Sequence, residues 1–143
     1  MAKVPDARQE AWGLMLEMFM AQRGKMLSVA HEFGLHPQQA MALNVLQPGE
    51  PLKLSDLATK LHCDNSNVTG IADRLEAAGL AERRPHPSDR RVKTLWLTEH
   101  GESVRKLHRA RMGTAPPGIA ALTETDAAAL VEILRRAKPP SSG

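Results

Sequence analysis

The feature that most constrains this chain is a helical apolar stripe followed at once by a basic hairpin. Within "NSNVTGIADRLEAAGLAERRPHPSDRRVKTLWLTEHG", Val68, Ile71, Ala72 and Leu75 fall at i, i+3, i+4 and i+7, which buries one face of a helix running from about Ser66 to Ala78. Gly79 is placed to end that helix. "LAERR" and "VKTLWL" then alternate as two strands of a hairpin whose turn is built from Pro85, Pro87, Ser88 and Asp89. Upstream, Ser55 is a good N-cap for a short helix with Leu54, Leu57, Ala58 and Leu61 on one face, and "HCDN" is the turn between the two helices. Short helix, turn, helix and basic hairpin is the order of a winged helix-turn-helix.

The flanks read as helices too. Ala11 to His31 is apolar at Trp12, Met15, Leu16, Phe19, Met20, Met26, Leu27 and Val29, a surface wider than one stripe and suited to a helix covered on two sides, one of them by another subunit. Gly34 closes that helix, Pro37 opens the next, and Pro48 with Gly49 stops it. Thr98 and Glu99 start a helix that ends near "GTAPPG", and Thr123 with Asp126 stand in capping-box positions for a last one. The tail "KPPSSG" has the composition of a disordered end. The expectation is therefore one domain over 1–143, mostly α with a small β-hairpin wing. Residues 7–33 and 99–138 form dimerisation helices around a winged helix-turn-helix lobe at 35–98.

Composition excludes several classes. The longest apolar stretch, Ala11 to Ala21, is interrupted by Gly13 and Glu17 and falls short of the roughly 20 residues of a bilayer span. No basic segment followed by an apolar run marks a secretory signal at "MAKVPDARQE". Cys63 is the single cysteine, so no internal disulfide forms and a cytoplasmic location is expected. The net charge is only +3, but six Lys or Arg face three acids between Arg74 and Lys93. That concentration of positive charge suits a polyanion.

Opposite the buried stripe, the helix presents Ser66, Gly70, Asp73, Arg74 and Ala77, flanked by Asn67 and Thr69. A small polar N-terminal half is what a helix needs in a major groove about 12 Å wide, where Asn pairs with adenine and Ser or Thr bonds several bases. A solvated amphipathic face is the plain alternative, and the basic hairpin beside it decides for DNA. There Arg83, Arg84, Arg90 and Lys93 are expected on phosphates. His86 joins the contact set at the wing. Asp89 stands two residues before Arg91, close enough to hold its guanidinium through a bidentate contact, and the oriented Arg91 suits a narrow minor groove.

The segment "LATKLHCDNSNVTGIADRLEAAGLAERRPHPSDRRVKTLWLTEHG" resembles the DNA-binding core of MarR-type regulators. The likeness lies in the recognition-helix pattern of Val68 to Arg83, in "DRR" at Asp89 to Arg91, and in the closing Leu97, Thr98 and Gly101. It implies a homodimer with interleaved terminal helices that reads palindromic double-stranded DNA, usually represses, and often releases DNA on binding a small phenolic or other effector. It also implies that the Asp89 and Arg91 pair orients the arginine that probes DNA. Gly70 departs from the arginine or other polar residue frequent there, which bears on base preference.

Other chemistries are less well supplied. Cys63, beside His62 and Asp64, is either a packed small residue or a redox-sensing thiol. The six histidines show no metal-ligand spacing, no nucleophile elbow or phosphate loop occurs, and neither metal, cofactor nor enzymatic activity is expected. Trp12, Met15, Phe19 and Met41 are candidates to line an effector pocket, with plain core or interface as the alternative. The competing function is a winged-helix protein-interaction module that binds an acidic partner and reads no DNA sequence.

Overall fold

In a computed structural model, residue 4 and residues 6–140 are described, so the end of the expected tail, 141–143, lies outside them. They fall into two compact units, one through Met112 and one from Gly113. The first begins with α1 (Ala7–Ala21), α2 (Arg23–Glu32) and α3 (Pro37–Val45). The single long helix expected from Ala11 to His31 is thus two helices. Gln22 separates them with φ −82° and ψ −6°, and its amide donates to Phe19 O at 3.0 Å, three residues back. That tightened turn breaks the helical repeat. The apolar residues around the break are nevertheless on the surface: α1 buries none of its residues, and α2 buries only Val29 and Ala30.

Pro37 opens α3 as expected, with Gln39 accepting the His36 amide at 3.0 Å. The helix ends at Val45, before the Pro48 and Gly49 pair, because Leu46 turns to an extended backbone and drops into the core with no exposed surface. Two short elements follow, β1 (Leu52–Lys53) and α4 (Leu54–Leu61). Lys53 rather than Ser55 precedes the first turn of α4, because pairing of Leu52 with Leu95 delivers the chain directly into the helix. His62 closes α4 in the left-handed region at φ 52°. Next comes α5 (Asn65–Ala77), which buries Val68, Ile71, Ala72 and Leu75, the four residues of the sequence stripe.

Strands β2 (Ala81–His86) and β3 (Asp89–Leu97) form the hairpin, and the antiparallel sheet runs β1-β3-β2. Pro85 is tolerated because β2 is an edge strand, and the pairing slips between Pro85 and His86. Leu43, Leu46, Leu57, Val68, Leu75 and Leu95 fill the core beneath this sheet. The unit closes with α6 (Glu99–Met112), whose first turn sits on the start of the wing: Thr98 Oγ1 donates to Gly79 O at 2.6 Å and accepts from Gly101 N at 2.9 Å.

The second unit holds α7 (Pro117–Ala120), which the sequence pattern did not announce, and α8 (Glu124–Ala137). Thr123 Oγ1 caps α8 by accepting from the Asp126 amide at 3.2 Å. Val131, Ile133 and Leu134 are exposed on it. The fold is mostly helical with a β-hairpin wing, as expected, and β1 adds a third strand to its sheet. Among the described residues, no helix is long and apolar enough to cross a membrane.

Candidate nucleic-acid interface

Burial of the α5 stripe leaves Asn65, Ser66, Asn67, Thr69, Gly70, Asp73 and Arg74 exposed on the rest of the helix. Ser66 and Gly70 stand at the centre of this face. A Cβ added at Gly70 would meet no atom within 4 Å, so the helix surface is open there. Thr69 is exposed and donates its hydroxyl back to Asn65 O at 3.0 Å, so its proton is taken up within the helix and its oxygen can still accept. Asn67 and Arg74 flank the other side.

The hairpin tip is a two-residue turn, Pro87 and Ser88, closed by pairing of His86 with Asp89. His86 Nδ1 accepts from the Ser88 amide at 3.1 Å, so this ring organises the tip. Asp89 Oδ1 accepts from the Arg91 amide at 3.0 Å and from Arg91 Nε at 3.4 Å. The expected bidentate contact is therefore replaced by one carboxylate oxygen shared between backbone and side chain. The Arg91 side chain is 93% exposed, held at its base and free at its end. Arg90 and Lys93 are exposed as well.

Arg84 and Arg83 are engaged within the protein. The Arg84 guanidinium lies 4.9 Å from the Trp96 ring centroid and 3.1 Å from Glu82 Oε2. Hydrogen bonding and charge from Arg84 hold the Glu82 carboxyl below its ordinary range. Trp96 is fixed in turn by donating to Thr94 Oγ1 at 3.0 Å, while Thr94 donates to Arg84 O at 2.8 Å. Arg83, expected on phosphate, points back onto α5: Nη2 donates to Asp73 Oδ1 at 2.6 Å and to Thr69 O at 3.1 Å. Its amide donates to Glu76 Oε2 at 2.8 Å.

The four residues expected around an effector do not come together in one cavity. Met41 lines a cleft of about 30 Å³ with Met26, Pro37, Ala40, His108 and Met112. Trp12, Met15 and Phe19 are exposed on α1 and lie outside that lining. The space is roughly that of one water molecule. Cys63 is half-buried and packs against the core, with its amide donating to Ala58 O at 3.0 Å. Among the described residues, no group of three or more His, Cys, Asp or Glu could hold a metal ion.

His108 is, with Arg105, one of two buried titratable groups on α6. Asn44 Nδ2 lies 2.9 Å from both Ala40 O and His108 Nδ1, and Phe33 packs edge-on at 6.0 Å between ring centroids. An amide nitrogen between two such atoms donates to both, which makes Nδ1 an acceptor and the ring neutral. Burial lowers the His108 pKa. The unfolded chain therefore takes up this proton at about pH 6.5 while the folded chain resists it. The stabilisation is complete above that pH and is lost as pH falls below it. The urea midpoint should drop between pH 7 and 5.5, and should drop less in His108→Gln. Equal drops in the two proteins would contradict this assignment.

This arrangement has counterparts among known proteins. The MarR family model matches residues 35–93. The chain is 33% identical over 125 residues to the transcriptional repressor MprA of Escherichia coli, a match covering 85% of this chain and 69% of MprA. It is 35% identical over 85 residues to the HTH-type transcriptional repressor MdtR of Bacillus subtilis, covering 59% of this chain but only 55% of MdtR. Among solved structures, the YusO protein of Bacillus subtilis superposes with a TM-score of 0.72 at 29% identity, covering 92% of this chain and 96% of YusO.

Proposed function

This chain belongs to the MarR family, and on that premise we propose that it is a dimeric, sequence-specific DNA-binding transcriptional regulator. In this proposal α5 enters the major groove with Ser66, Asn67, Thr69 and Gly70 leading. The wing tip carries Arg91 into the adjacent minor groove, and Arg90 and Lys93 meet phosphates. The observation that carries the proposal is the open, small-residue face of α5 set beside a wing whose Arg91 is anchored at its base and exposed at its end. A narrow A·T-rich minor groove concentrates negative potential and attracts such an arginine. A second copy covers the apolar surface of α1 and that of α8, and two copies then address the halves of a palindrome. Repression of cytoplasmic transcription and release by a small phenolic or other effector complete the proposal. MprA and MdtR, both named as repressors, support its direction.

Selection of bound sequences from a random duplex pool tests the proposal. Enrichment of an inverted repeat is the expected result; a protein-interaction module would retain DNA only weakly and without sequence preference. On the selected duplex, Asn67→Ala is expected to cost about 1–3 kcal/mol per half-site and to relax preference at one base pair. Titration of selected and random duplexes checks this, since equal losses on both would place Asn67 on phosphate.

A further inference from the structure

We propose that Arg83 is a positioning residue that sets the wing at a fixed distance from the reading face of α5, rather than a ligand of DNA. The proposal rests on the DNA-binding function above. Its basis is a clamp spread along nearly two turns of the helix. Arg83 Nη2 bonds Thr69 O and Asp73 Oδ1, Nη1 lies 3.7 Å from Glu76 Oε1, and the Arg83 amide bonds Glu76 Oε2. The side chain is 22% exposed, against 93% for Arg91. In a sheet ordered β1-β3-β2, β2 has a strand neighbour on one side only. Ala81 fixes the start of β2 in the core, and the clamp ties the strand to α5 further along, toward the tip.

The position of the clamp makes it consequential for recognition. Arg83 stands four residues before Pro87 at the tip, a lever of about 13 Å in extended chain, so a slip of about 10° displaces the tip by about 2 Å. That displacement is a large fraction of a minor groove about 6 Å wide.

The two roles for Arg83 predict opposite results for Asp73→Asn. If Arg83 served as a phosphate ligand, this substitution would free it and delete a nearby negative charge, and DNA would bind more tightly. If it serves as a clamp, the wing loosens, and binding of the selected duplex weakens by about tenfold. Arg83→Gln should weaken binding similarly while leaving the slope of log affinity against log salt unchanged, because no phosphate contact is lost. A phosphate ligand would reduce that slope by about 0.9. Repeating the selection with each variant should relax preference at the positions nearest the wing and retain it where α5 reads. Asp73 is exposed and Arg83 is partly buried but outside the apolar core, and thermal unfolding should stay within a few degrees of wild type. Tighter binding by Asp73→Asn, a reduced slope for Arg83→Gln, uniform loss of preference, or unfolding of either variant would each overturn the proposal. Failure of the underlying function is seen separately, as no enriched sequence with the wild-type chain. Amide exchange along β2 then judges the clamp on its own, being faster in Arg83→Gln if the clamp holds and unchanged if it does not.

Discussion

Gly101→Ala is expected to destabilise the folded chain by about 3 kcal/mol, whereas Gly70→Ala is expected to stabilise it by about 0.5–1 kcal/mol. Both glycines lie inside helices, where alanine is intrinsically the better residue, so the opposite signs come from tertiary contacts. A Cβ at Gly101 would overlap Leu80 O and stand 2.9 Å from Leu97 Cδ1; one at Gly70 meets nothing within 4 Å. The close approach at Gly101 is imposed by hydrogen bonds. Thr98 Oγ1 joins Gly79 O to the Gly101 amide, and Thr98 N donates to Leu80 O at 3.2 Å, which draws the first turn of α6 onto the start of the wing. Alanine must separate these elements. Urea unfolding of the two variants beside wild type measures both effects, and two changes of the same sign would show that these tertiary contacts do not decide them.

The largest effect on DNA binding is expected from α1. Trp12 and Phe19 are 58% and 60% exposed, and they stand two turns apart on a helix that buries none of its residues. Leaving such surface in water is unfavourable at about 25 cal/mol for each Å², and a second copy of the chain is the proposed cover. Because these side chains contribute nothing to the core of the single chain, Trp12→Glu with Phe19→Glu should leave the winged lobe folded and the molecule monomeric. Affinity for a palindrome should then fall by about 100-fold or more, since binding of the second half-site is no longer intramolecular. Sedimentation and duplex titration check the two parts. A double variant that stayed dimeric would remove α1 from the interface.

Much of this architecture is legible in the sequence because it rests on short-range periodicity. The α5 stripe, the Thr123 cap of α8 and the alternating strands around Pro87 each follow from residues within a few positions of one another. What depended on distant partners was not legible. Arg83 and Arg91 look alike in "RRPHPSDRR", yet one folds onto Asp73, ten residues back, and the other projects from the tip. The pairing of Asn44 with His108 spans 64 residues, and β1 is two residues long, too short for any pattern to show. The break at Gln22 carries neither proline nor glycine at the break itself. The broad apolar surface of α1 suggested a helix covered on two sides, yet α1 buries none of its residues within the chain; breadth cannot tell a core from an uncovered face.

Discrimination among DNA sequences is read from the ratio of two affinities. Wild-type protein is titrated against its selected inverted repeat and against a scrambled duplex of equal length, at one salt concentration near physiological. A preference of at least about 1,000-fold for the repeat is expected. Equal affinities for the two duplexes would contradict it and would leave only a basic surface attracted to any polyanion.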